Sequence, residues 1–131
     1  MFDATDLIHA YTRADAIEDG DLIDVSERAK EAGFKVPVAL TRAAWHELVA
    51  WDSKAMLHGS LQDETGRLWD VLSIAMHTAR VQRDNCHVEF TVRVMDLKAS
   101  GPVVEPKHAV MTIGPGDTPE PVITIMLPEE D

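Results

Sequence analysis

The residues best equipped for chemistry in this sequence are Gln62-Asp63-Glu64-Thr65-Gly66-Arg67-Leu68-Trp69-Asp70. This stretch gathers an amide, acids, a base and a tryptophan at the junction between a polar loop and a helical pattern. Together with Arg42 and Trp45, the side chains of Asp63, Glu64, Arg67 and Trp69 define a candidate pocket or interaction site. Carboxylates there could move a proton, the arginines could hold an anion and the indoles could stack on a base, as a small enzyme acting on a nucleotide or modified residue would require. Each residue also has a purely structural reading. Asp63 is placed to cap the helix, and Trp69 can pack onto the core. The spacing does not force Arg13, Arg42 and Arg67, all near helix starts, to converge.

Other motifs carry less. Six histidines, His9, His46, His58, His77, His87 and His108, form no ligand pair at a recognised spacing, and His46-Glu47 has Ala50 where a zinc-protease helix needs a second histidine. No metal site and no cofactor are expected. Gly114-Pro115-Gly116 ends in Asp117-Thr118-Pro119 rather than Gly-Lys-Ser/Thr, so it reads as a turn and not a phosphate loop. Cys86 precedes His87, but neighbours on a strand point to opposite faces, which removes the histidine as its base.

The elements that position these residues follow from periodicity. Thr12 with Asp15 predicts a capped helix ending at Gly20. Leu22, Ile23 and Val25 predict a short strand, and Ser26 is expected to cap a helix over Glu27–Ala32 closed by Gly33. Phe34 to Leu40 alternates as a strand, and Pro37 within it predicts a sheet edge. Thr41 caps a helix from Arg42 to about Trp51, followed by a polar loop over 52–63. From Glu64 to Val81, Leu68, Leu72, Ala75, Met76 and Ala79 recur at helical spacing, widened by Val71 and Ile74. His87–Val94, Lys107–Ile113 and Pro121–Leu127 read as strands, the last two an antiparallel pair. Ala99–Pro102 reads as a loop, and Pro128–Asp131 as a frayed tail. The expected fold is α+β, with helices in the first two thirds packed on a small, mostly antiparallel sheet of three to four strands.

Composition bounds the rest. A chain of 131 residues fits one domain, residues 1–131, and a 45% hydrophobic share supports a real core. No apolar stretch reaches the length of a membrane span, the first residues lack a signal-peptide pattern and the single cysteine allows no internal disulfide. These features place the chain in the cytoplasm, with no membrane association. The net charge is −11, concentrated at the ends: residues 1–31 hold nine acids against three bases, and residues 113–131 hold five acids and no base. Such a field repels phosphate, so direct nucleic-acid binding is not expected. It permits a protein partner instead, in the sharpest form a basic, nucleic-acid-binding complex, while an acidic surface that simply keeps the protein soluble is the plainer reading of the same charge.

The opening run Tyr11–Ser26, with Val36–Trp45, Gln62–Leu72 and Gly114–Asp117 through Ile123–Pro128, resembles a family of small proteins of unknown function encoded on bacterial plasmids, integrative elements and phages. The resemblance runs in order from residue 8 to the end and is weakest over 52–61 and 85–108. It carries over no catalytic residues. What it implies is a setting: an accessory protein of a mobile genetic element in a bacterial cytoplasm. The leading expectation is therefore a non-enzymatic accessory protein acting through protein–protein contact, in its sharper form an acidic inhibitor of an anti-CRISPR or anti-restriction kind. The alternative is the small enzyme at residues 62–70. A third reading is self-association through the edge of strand 87–94, the oligomeric state being undetermined by the sequence.

Overall fold

In the computed structural model, which describes residues 11–51 and 64–131, helices pack against one mixed five-stranded sheet. The described elements are α1 (Arg13–Asp19), β1 (Leu22–Asp24), α2 (Ser26–Ala32), β2 (Val38–Thr41), α3 (Arg42–Leu48), α4 (Glu64–Val81), β3 (His87–Lys98), β4 (Gly101–Pro115), β5 (Pro121–Met126) and a terminal 3-10 turn (Pro128–Glu130). Strand order is β1-β2-β5-β4-β3. Only β2 and β5 run parallel; the other three pairs are antiparallel. The fold is α+β as expected, with more strands than the sequence suggested.

Local signals govern the helix ends. The Thr12 hydroxyl accepts the Asp15 N–H at 3.0 Å while the Asp15 carboxylate accepts the Thr12 N–H at 3.2 Å, a reciprocal capping box at the start of α1. Gly20 (φ 84°) and Gly33 (φ 108°) end α1 and α2 in the left-handed conformation that a side chain resists. Thr41 caps α3 through the Ala44 N–H at 3.1 Å. Ser26, by contrast, is not a cap. Its hydroxyl donates to Asp24 at 2.6 Å and accepts the Val38 N–H at 3.1 Å, so α2 begins at Ser26 and the serine ties it to β2.

The main core lies between one sheet face and α2, α3 and α4. Leu40, Leu48, Leu72, Met111 and Ile125 are fully buried there, and the α4 stripe of Leu68, Val71, Leu72 and Ala75 meets Val88, Phe90, Val92 and Val94 of β3. Complete burial of one such side chain stabilises the fold by roughly 1.5–3 kcal/mol. α1 is held to the sheet by Arg13, whose guanidinium donates to the Thr124 hydroxyl and the Ile123 carbonyl, both at 2.7 Å.

Four further expectations are corrected. The strand containing Pro37 is not an edge: β2 begins at Val38 and lies between β1 and β5, while Pro37 precedes it and its carbonyl accepts the Ile123 N–H at 2.9 Å. α3 stops at Leu48 rather than Trp51, because Val49 leaves helical geometry (φ −122°) and its carbonyl is taken by Arg67. The expected loop at 99–102 shrinks to a turn at Ala99-Ser100, with Gly101 at φ 115°, so β3 and β4 form a long hairpin. Finally, the last residues are fastened. Glu130 accepts the Thr41 hydroxyl at 2.6 Å and the Leu127 N–H at 3.0 Å, and Asp131 pairs with His87.

Prolines explain why the hairpin was hidden. The Ile113 N–H donates to the Cys86 carbonyl, which sets the phase of the β3–β4 ladder. Ladder alternation then turns the nitrogens of Pro102 and Pro106 away from β3, toward the side where β5, which meets β4 only from Val110 to Pro115, does not reach. Neither proline costs the ladder a hydrogen bond.

Candidate functional site

The sequence-predicted cluster converges only in part. Arg67 lies in the first turns of α4 and points inward, 4% exposed. Its Nε–H donates to the Val49 carbonyl at 2.9 Å and a terminal N–H donates to the Met95 carbonyl at 2.5 Å. The guanidinium carbon stands 4.9 Å from the centroid of the Trp51 ring, within cation–π range. Glu64, one turn earlier on the same helix, accepts the Trp51 N–H at 3.1 Å. The end of α3, the start of α4 and the edge strand β3 are thus joined through one buried cation.

Burial lowers the Arg67 pKa, opposed by the nearby carboxylates Asp96 and Glu64. An arginine tolerates this and stays charged. The void next to it, lined by Leu48, Arg67, Asp70, Val92, Arg93 and Val94, measures only about 10 Å³, far below the roughly 300 Å³ or more of a small-molecule site. What this arrangement does chemically is clamp two backbone carbonyls from distant parts of the chain.

The remaining candidates lie apart. Arg42 begins α3 while Arg67 engages the residue just beyond its end, about 10 Å of helical rise away. Its Nε–H donates to the Gly20 carbonyl at 3.0 Å and its guanidinium pairs with Asp21 at 2.5 Å, closing the α1–β1 turn. Trp45 is half-buried against the core. Trp69 turns outward, 45% exposed, into an open groove of about 430 Å³ shared with Asp70, Ser73, Ile74, Thr91, Val92 and Arg93. Asp63 lies outside the described residues, as do Gln62, His9 and His58.

Three polar contacts escaped sequence reading. Lys107 reaches Asp96 at 3.0 Å, Glu47 at 3.2 Å and Glu105 at 3.7 Å, and the Asp96 contact raises its pKa despite partial burial. The only sequence signal was a lysine in register with the inward-facing positions of β4. Asp117 accepts the N–H groups of Arg13 and Ala14, a capping contact spanning more than a hundred residues. His87 pairs with Asp131, whose hydrogen bond raises the imidazole pKa. Among the described residues, no group of three or more His, Cys, Asp or Glu side chains is arranged to hold a metal ion.

The two acidic segments meet around α1. At its start stands Asp117 of the β4–β5 turn, and past its end Asp21 and Glu130 border one shallow depression with Thr41, Arg42, Ala43 and His46. The Tyr11 hydroxyl donates its one proton toward Asp21 (2.6 Å) with Asp19 also close (3.0 Å), and these carboxylates hold it protonated well above the usual phenol range. Glu18 and Asp19 are exposed on α1 itself.

Fold and site together define an α+β fold in which, among the described residues, Arg67 is the one buried cation and braces the scaffold. Over its whole length, residues 1–131, the chain matches a family of unknown function (DUF6573), and it belongs to that family. No curated protein and no solved structure matches it. Among the described residues, no helix is long and apolar enough to cross a membrane.

Proposed function

We propose that this chain is a non-enzymatic accessory protein that binds another protein through the acidic surface around α1. The observation that carries this reading is the meeting of the two acidic ends of the chain, through Asp117 at the start of α1 and through Asp21 and Glu130 beyond its end. A net charge of −11 gives that surface long reach toward a basic partner and discourages phosphate. The resemblance to proteins of plasmids, integrative elements and phages supplies the setting, a mobile genetic element. In the sharper form, the acidic surface occupies the nucleic-acid channel of a host defence complex. The enzyme alternative at residues 62–70 is weakened by the structural employment of Arg67 and Arg42.

The test is capture of partners from a bacterial lysate on the tagged full chain, at low and high salt, with mass spectrometry as the readout. Expected is one stoichiometric basic nucleoprotein that is lost at high salt, where charges are screened within a few ångströms. The same partner should be lost from a Glu18→Lys/Asp19→Lys variant, both residues being exposed on α1. A complex unmoved by salt and by those changes overturns the electrostatic reading. Empty capture at low salt overturns partner binding and favours the enzyme.

A further inference from the structure

Among the described residues, the sheet ends at β3 and no strand pairs with its outer side. Because the Cys86 carbonyl bonds to β4 and the β3–β4 register runs unbroken from His87↔Thr112 to Lys98↔Gly101, even-numbered β3 residues bond inward. The N–H and C=O groups of His87, Glu89, Thr91 and Arg93 therefore face outward at the sheet edge. Met95, next in that series, gives its carbonyl to Arg67, so the buried arginine marks the end of the open stretch. Natural edges are usually blunted by prolines, bulges or inward-pointing charges. From His87 to Val94, β3 has no proline, no break in register and no inward charge.

We propose that two copies of this chain pair through β3, antiparallel about a two-fold axis at Thr91, into one continuous sheet. The argument is charge complementarity. Glu89 and Arg93 lie two residues on either side of Thr91, exposed on the same sheet face, and neither makes an ion pair among the described residues. Pairing about Thr91 sets each Glu89 directly opposite the partner's Arg93, which makes two ion pairs at opposed positions. Moving the axis to Glu89 or to Arg93 instead sets like charges face to face. One register alone is thus self-complementary, as a two-fold interface demands.

The inward face agrees with that register. Phe90 then stands opposite the partner's Val92, and Val88 opposite the partner's Val94, so the apolar layer under the sheet continues across the junction. On the helical side, the groove shared by Trp69, Ser73 and Ile74 with Thr91, Val92 and Arg93 lies next to the axis. Pairing brings its copy alongside and covers Trp69, the one strongly exposed aromatic of α4. A foreign strand would satisfy the backbone edge equally well but has no reason to match the Glu89–Arg93 spacing.

Sedimentation equilibrium of the full chain over a micromolar concentration series tests this, at moderate salt so that the net charge of each copy is screened. The wild type should reach twice the 14.5 kDa of one chain. Arg93→Glu, which opposes glutamates twice, should weaken the dimer about tenfold or more. The swap Glu89→Arg/Arg93→Glu should restore it. Thr91→Pro, which removes the outward N–H at the axis, should give a monomer with an unchanged far-ultraviolet spectrum. A wild type that stays monomeric overturns the proposal, as does a dimer indifferent to both Arg93→Glu and Thr91→Pro. A swap variant that stays monomeric while folded overturns the register.

Discussion

The guanidinium of Arg67 donates to the carbonyl of Met95 at 2.5 Å, so a helix residue closes a hydrogen-bonding position at the outer edge of the sheet. The same side chain holds the Val49 carbonyl and lies over Trp51. Edge carbonyls are ordinarily left to water; this one is sealed by a charge with almost no exposure.

Arg67→Ala should therefore act on stability. It leaves two carbonyls without their donor and a gap under Trp51, a loss of about 3 kcal/mol. Urea unfolding should show the midpoint falling with little change in slope. Arg67→Lys should recover only part of the loss, since a single ammonium cannot reproduce the planar fork. Unchanged stability in the alanine variant would contradict the clamp and revive a catalytic role for this residue.

Asp117 caps α1 from across the chain, accepting the N–H groups of Arg13 and Ala14 at 2.7 and 3.1 Å. Its replacement by alanine should cost about 1 kcal/mol, in line with loss of an N-cap. Faster amide exchange should appear in the first turn of α1, where those two N–H groups lose their acceptor, and not in α4.

His87 and Asp131 give a pH dependence whose sign is set by the raised imidazole pKa. Because the folded value lies above the ordinary 6.5, the pair's contribution is fully present below 6.5 and is lost as pH rises through the folded value. Titration of His87 by NMR should show the upward shift, and Asp131→Asn should remove most of it. Melting temperatures of the wild type and Asp131→Asn should then differ at low pH and converge above the folded pKa.

Gly33 ends α2 at φ 108°, and a Cβ there would come 3.3 Å from an Arg80 nitrogen and 3.6 Å from the Met76 methyl. Gly33→Ala should destabilise the protein by about 1 kcal/mol or more, chiefly through the backbone. Thermal unfolding of the two forms measures it. At Gly114, where a Cβ would meet nothing within 4 Å and φ is not positive, the same substitution should be far milder.

The sequence by itself determined the local elements: the Thr12–Asp15 box, the glycine stops at 20 and 33, the Thr41 cap, the α4 stripe and the inward face Val88–Phe90–Val92–Val94. These depend on contacts within a few residues, where propensity, capping and periodicity act directly. Tertiary structure alone decided the rest. Pro37 reads as an edge signal until β5 takes a place beside β2. Pro102 reads as loop, and Pro106 falls outside the predicted strands, until their nitrogens are seen to face a side no described strand occupies. Of the candidate site, sequence reading foresaw that Glu64 and Arg67 share a helix start. It did not foresee that Val49 and Met95, far apart in the chain, would take up the guanidinium. A charge is assigned its role by the partners that folding brings to it, and backbone carbonyls, present at every residue, leave no mark in a sequence.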